Sequence, residues 1–387
     1  MIAALALASC GNATPAAKPA IDAGAPPPPV VPDAAPVGAH VSGYPTGTPP
    51  SAYPASRCSE CHGEITDEWH ASAHSHARTA PLYELARTDA CDVCHAPLAV
   101  KVGAQPVARE GVTCEACHNV KTVTAGAGLD PVFAAIKYGP LCDAKDHYFH
   151  KMGCSPLHTK SEFCSSCHSY TKNGIPVYTE YDEWQSGPLA ARACQQCHMP
   201  GSKREVAIGA GEREGVANHT ILAAGPLRKK ALKASAHVGD KSDAMHFSID
   251  VDVTNIAAGH DVPSGAPEHR LVVEGKLRTP GGAQLGETQT QAFGRVLVDA
   301  SGSPAPFWEA TKLDHDDRIA PKATRTAHLQ FLAPPIAGCH VELAVRWVSV
   351  APEIAARLHT SLVTTEDLLA GSMPIKAGSK TALKAAP

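Results

Sequence analysis

The sequence predicts a multidomain α+β chain, with a mainly α or irregular domain over residues 56–200 followed by a β-sandwich-like domain over residues 243–350. Three observations lead there. Short cysteine–histidine motifs crowd residues 56–200, where no helical or strand period persists. From about residue 243, apolar and polar side chains alternate in runs separated by turn residues. Ahead of both lies a stretch rich in Ala, Pro and Gly that cannot bury enough apolar surface to fold.

Composition narrows the function classes. The 387 residues can hold two or three domains. The formal net charge is -4 and the Lys and Arg residues are scattered, so no nucleic-acid footprint is expected. Aromatic residues, which normally fill much of a core, make up only 5%. Part of the interior is therefore expected to be filled by something other than side chains.

In chain order, residues 1–10 read as a lipoprotein-type signal segment. Leu7-Ala8-Ser9-Cys10 has the form of a lipobox, in which the cysteine is acylated and makes membrane contact. The apolar stretch is short and no Lys or Arg precedes it, so a start further upstream is expected. Residues 11–55, with Pro26-Pro27-Pro28-Pro29, form a semi-rigid linker. No later segment approaches the roughly 20 apolar residues of a membrane span. Residues 201–242 read as a connector. Strands are expected around Phe247–Val253, Leu271–Leu277, Arg295–Val298, His328–Phe331 and Val341–Trp347, and residues 351–387 as a weak helix followed by a polar tail.

The chemistry lies in a CxxCH motif that occurs five times: Cys58–Cys61–His62, Cys91–Cys94–His95, Cys114–Cys117–His118, Cys164–Cys167–His168 and Cys194–Cys197–His198. Ten of the fourteen cysteines fall in these copies. Two thiols at this spacing can form thioethers with the vinyl groups on one porphyrin edge, and the following His is then directed at the iron. Zinc knuckles also use CxxC, but they work in pairs to complete four ligands and do not require His after each second Cys. A thioredoxin-like dithiol would need a βαβ unit, which the pattern lacks. Five covalently bound haem c groups are therefore expected in residues 56–200. A compact domain of that length has a radius of gyration of roughly 15 Å, so the haems would lie close together.

The sixth ligand of each iron is expected to be mostly His, since His is plentiful and only five Met exist, of which Met1 and Met373 are badly placed and Met199 adjoins His198. The candidates are His74, in Trp69-His70-Ala71-Ser72-Ala73-His74, His158 before the fourth motif, His219 and His260, with His147 and His150 in reserve. Cys142 and Cys154, neither followed by His, are expected to pair as a disulfide, and Cys339 to sit buried.

These residues also carry a resemblance. Cys58–His62 followed by Glu68-Trp69 and Ser72-Ala73-His74, together with Gly111-Val112-Thr113-Cys114-Glu115-Ala116-Cys117-His118 and His158 ahead of Cys164, resemble the cytochrome c-552/4 family, which includes tetrahaem carriers. The resemblance covers roughly residues 57–170 and implies His74 and His158 as distal ligands. The fifth motif with Met199-Pro200 is similar to the terminal motif of pentahaem nitrite reductases. Gly259-His260-Asp261-Val262-Pro263 resembles part of a domain appended to many multihaem cytochromes.

The expected function is electron transfer between redox proteins, in the periplasm or at the outer membrane or cell surface. The alternatives are an oxidoreductase acting on nitrite or hydroxylamine at a five-coordinate haem, or a subunit of a surface cytochrome filament. The nitrite reductases usually carry Lys in place of His in their active motif, and no motif here does. Arg109, Tyr138 and Tyr170 are the candidate residues for holding a substrate's charge in such an enzyme.

Overall fold

The computed structural model describes residues 52–387 except 103–104, 132–135, 241, 243–244, 333–336, 362 and 377. Cys10 and nearly all of the expected linker lie outside the described residues.

Residues 52–240 are built from helices of one or two turns. Four motifs sit on or within such helices: Asp92–His95, Cys114–His118, Glu162–His168 and Cys194–His198. The first runs from the end of Ala55–Ser59 to His62, which caps the start of Gly63–His70. Helices this short are not stable alone. Side chains brace some of them. Trp69 is buried and donates from Nε1 to the Val112 carbonyl at 2.8 Å, which ties the helix after motif one to the approach to motif three. Gly111, on the same approach, has φ +71°, and a Cβ there would meet the His74 carbonyl at 2.4 Å, so this position needs glycine. The apolar cluster in this half is small, comprising Ala52, Leu98, Val107, Val112, Ala116, Val120 and Leu129 among the described residues.

Three strand pairs punctuate the region: parallel β1 (Ile136–Gly139) and β2 (Lys151–Cys154), and antiparallel β3 (Tyr170–Lys172) with β4 (Ile175–Tyr178) and β5 (Gly201–Glu205) with β6 (Glu212–Ala217). The disulfide Cys142–Cys154 is formed, with its Cα atoms 4.5 Å apart.

The C-terminal half is one antiparallel sheet. Its strands are β7 (Leu232–Val238), β8 (His246–Asn255), β9 (Arg270–Arg278), β10 (Gln289–Val298), β11 (Lys312–Asp316), β12 (Thr324–Leu332), β13 (His340–Val348), β14 (Thr365–Pro374) and β15 (Lys380–Ala385). Their order is β11-β10-β9-β13-β14-β15-β7-β8-β12. The sheet curls so that β12 packs across the interior on β9, where Gly275 leaves room for Leu329 and Phe331. The core lies between these layers, with Ile249, Val251, Val253, Leu271, Val273, Leu329, Val341 and Val345.

The expected alternation in β8 is realised, with Phe247, Ile249, Val251 and Val253 buried. In β13 it fails at Trp347. A register shift between Val345 and Arg346 changes the phase and buries Val348 instead.

Two expected boundaries are corrected. The sheet starts at Leu232, inside the expected connector, and residues 351–387 hold the helix Pro352–Arg357 followed by β14 and β15, not a polar tail. The inward residues there are small (Ala234, Ala236) or break the period (Leu368-Leu369), so they give little signal of alternation.

Two arginines join the halves. Arg295 of β10 donates to the carbonyls of Pro176 and Val177 and to the Thr179 hydroxyl, at 2.9, 3.1 and 2.8 Å. Arg318 bonds Glu183 at 2.6 Å and Asp316 at 2.9 Å, and lies 3.4 Å from Asp261. Glu183 in turn accepts from the Asp261 amide at 2.9 Å.

Leu329, 1% exposed, and Leu332, 67% exposed, share strand β12. Leu329→Ala should cost about 2–5 kcal/mol in denaturant unfolding, whereas Leu332→Ala should change stability by no more than about 0.5 kcal/mol. Equal effects would contradict the curled packing.

Candidate functional site

One continuous cavity of about 3310 Å³ runs through the N-terminal half and along the edge of the sheet. An ordinary small-molecule site is about 300–1,000 Å³. Every cysteine and histidine of the five motifs lines it, as do His74, His147, His150, His158, His219 and His260.

The motif imidazoles are aimed by their Nδ1 atoms. The Nδ1–H groups of His62, His95 and His118 donate to the carbonyls of Val206, Ala77 and Tyr138 at 2.5, 3.0 and 2.7 Å, and that of His198 to Leu222. Each bond fixes the tautomer and leaves Nε2 free to take a metal. His168 differs. Its Nδ1 lies 3.6 Å from Glu180 Oε2, an ion-pair contact longer than a hydrogen bond.

Opposite these rings stand other imidazoles. His62 faces His150, His168 faces His74, His118 faces His219 and His198 faces His260, each with ring centres 6.3 Å apart. Two imidazoles bound at about 2 Å to one metal, with each ring centre roughly 1 Å beyond its nitrogen, would stand about 6 Å apart. The spacing of all four pairs therefore fits a single iron between them. The planes are within 28° of parallel in three pairs and 88° apart for His74 and His168. His219 and His260 also keep Nε2 free, because their Nδ1 atoms donate to Ala217 and Asp261 carbonyls at 3.0 and 3.1 Å.

His158 is placed differently. Its ring centre is 5.7 Å from that of His118, and its Nε2 is 3.2 Å from the Cys117 carbonyl. Among the described residues, no imidazole stands at the 6.3 Å spacing from His95. The ring beside it is Tyr83, 4.8 Å away, whose hydroxyl bonds Asp92.

Burial governs the ionisation of these groups. It pushes His74 and His269 down to about 4 and His118 to about 3. At His168 burial acts the same way, but Glu180 outweighs it and raises the imidazole to about 9.

The motifs adjoin through their free thiols. Cys58 lies beside Cys114, Cys94 beside Cys167, and Cys164 beside Cys194. The first motif thus neighbours the third, the second the fourth, and the fourth the fifth.

Several site residues lie outside the CxxCH copies. Glu68 receives both arms of Arg204 at 2.6 and 2.7 Å and the His219 amide at 2.9 Å, and so holds the segment bearing His219. Tyr178, Glu268 and His269 line the cavity. Of the residues considered for substrate charge, Tyr138 is a lining residue and gives its carbonyl to His118, Tyr170 is half-buried in β3, and Arg109 is exposed beside the Arg78–Asp92 pair. Cys339 is buried in the sheet core. No helix among the described residues is long and apolar enough to cross a membrane.

No protein-family model matches the chain, and no curated protein matches it. Among solved structures it is similar to a penta-heme cytochrome c552 from Thermochromatium tepidum, with a TM-score of 0.66 over 84% of this chain and 99% of that one. At 22% identity the likeness is one of fold.

Proposed function

We propose that this chain is a pentahaem c-type cytochrome that passes electrons between redox proteins outside the cytoplasm. The observation that carries the reading is the set of four facing imidazole pairs at one metal-binding spacing, in a cavity lined by all five CxxCH motifs. A penta-heme protein with the same fold adds support. The motif cysteines would hold each group by thioethers, with His62, His95, His118, His168 and His198 as proximal ligands. The groups would supply a reversible one-electron iron couple. His150, His219, His74 and His260 are the proposed distal ligands to His62, His118, His168 and His198. His150 replaces His158 in this role because the His158 Nε2 already meets a backbone carbonyl. Adjoining motifs, with Cys117 of the third and Cys167 of the fourth packed on the same apolar cluster, would give electrons a path of short steps.

One observation favours a second reading. His95 has no opposing imidazole at the ligand spacing among the described residues, which would leave its iron open to a small molecule such as nitrite or hydroxylamine. Electron paramagnetic resonance of the oxidised protein tests both readings. Four low-spin haems and one high-spin haem are expected. A spectrum without low-spin haem contradicts the carrier. An all-low-spin spectrum unaffected by nitrite contradicts the open site.

His150→Ala should convert one further haem to high spin, whereas His158→Ala should leave the low-spin count unchanged; the reverse outcome would return His158 to the ligand set. A lipid on Cys10 would tether the protein at the periplasmic face or cell surface. Cys10→Ala should then move it from the membrane fraction to the soluble fraction, and continued membrane association would discard the anchor.

A further inference from the structure

We infer that Glu180 tunes one haem, holding the His74/His168 iron at a lower reduction potential than the other three bis-histidine irons. The inference rests on the pentahaem reading. Four of the five proximal imidazoles turn Nδ1 to a neutral backbone carbonyl. Only His168 turns it to a carboxylate, Glu180 Oε2 at 3.6 Å, and that oxygen is buried and has no hydrogen-bond partner.

A carboxylate beside Nδ1–H makes the imidazole a stronger donor to the metal. Its negative charge in a poorly solvated site also favours ferric over ferrous iron. Both effects lower the potential. No Lys or Arg cancels the charge. Among the described residues Glu180 forms no ion pair with Lys or Arg, while Arg295 and Arg318 are committed to Glu183 and Asp316. The carboxylate is also held in place. Its Oε1 accepts from the Gly265 amide at 2.5 Å, in the loop that follows His260. Glu180 is thus a positioning residue that acts on the iron through His168.

The His74/His168 haem can be followed by itself. Its imidazole planes are 88° apart, against 24°, 28° and 22° in the other pairs. Perpendicular planes leave the two iron π orbitals nearly degenerate and give a strongly anisotropic low-spin signal, distinct from the rhombic signals of near-parallel pairs.

The test is a redox titration of the holoprotein read by electron paramagnetic resonance. In the wild type the anisotropic signal should have the lowest midpoint of the four low-spin signals. If it titrates at or above the others, the inference is overturned without any variant. Glu180→Gln keeps an oxygen acceptor for Gly265 and removes the charge. Its anisotropic signal should move up by at least tenfold in the one-electron equilibrium, about 59 mV, with the rhombic signals unmoved. Glu180→Asp should keep the midpoint low. An unmoved signal, or all four moving together as a general structural loss would produce, overturns the inference while leaving the pentahaem reading intact. A protein without haem, or without the anisotropic signal, removes the reading beneath it.

Discussion

The gap between facing imidazoles is the constraint on which the rest of the N-terminal half depends. Four pairs of rings are held at one separation across a cavity far larger than a small-molecule site. Native interiors are normally close-packed, and the apolar cluster around Leu98, Val107 and Val120 is small for so long a stretch of chain. On the pentahaem reading, flat apolar cofactors take the place of the missing aromatic side chains. Helices of one or two turns then suffice, because each is fastened at its motif to a rigid body and not to a helical neighbour.

The sheet serves that arrangement as well as its own core. Loops at the edge of the sheet bring His260 to His198 and Gly265 to Glu180. Arg295 and Arg318 clamp β4 and the helix Glu180–Ser186 from the sheet side. Burying such a network carries a desolvation cost that its ion pairs do not reliably recover. What it secures is geometry, since Glu183 meets both Arg318 and the amide of Asp261, next to His260. On the pentahaem reading the two halves form one functional unit, with the sheet contributing a ligand candidate to a site whose motif lies before it in the chain.

The legible parts of the sequence were the local ones. CxxCH is complete within five residues, so its chemistry needs no fold, and period-two runs such as Phe247–Val253 declare a strand with one buried face. The isolated His74, His219 and His260 could be singled out because five motifs leave up to five irons in need of a sixth ligand, and His is the abundant donor in this chain. What escaped depends on tertiary contact. The sequence favours His158 over His150, whereas in the fold His150 faces His62 at 6.3 Å and the His158 Nε2 meets the carbonyl of Cys117. Glu180 gives no sign of its proximity to His168, nor Glu68 of its grip on the His219 segment. The strands β7, β14 and β15 were hidden by Ala, Gly and paired leucines that blur alternation.

The central claim is that five porphyrins are linked covalently to the ten paired sulfurs. Intact mass spectrometry of the purified protein, after acid–acetone treatment that strips non-covalent haem, tests it most directly. A mass excess of five haem groups over the polypeptide is expected, with a visible spectrum that survives the treatment. A colourless polypeptide of unmodified mass, or one whose excess is zinc lost on denaturation, would contradict it.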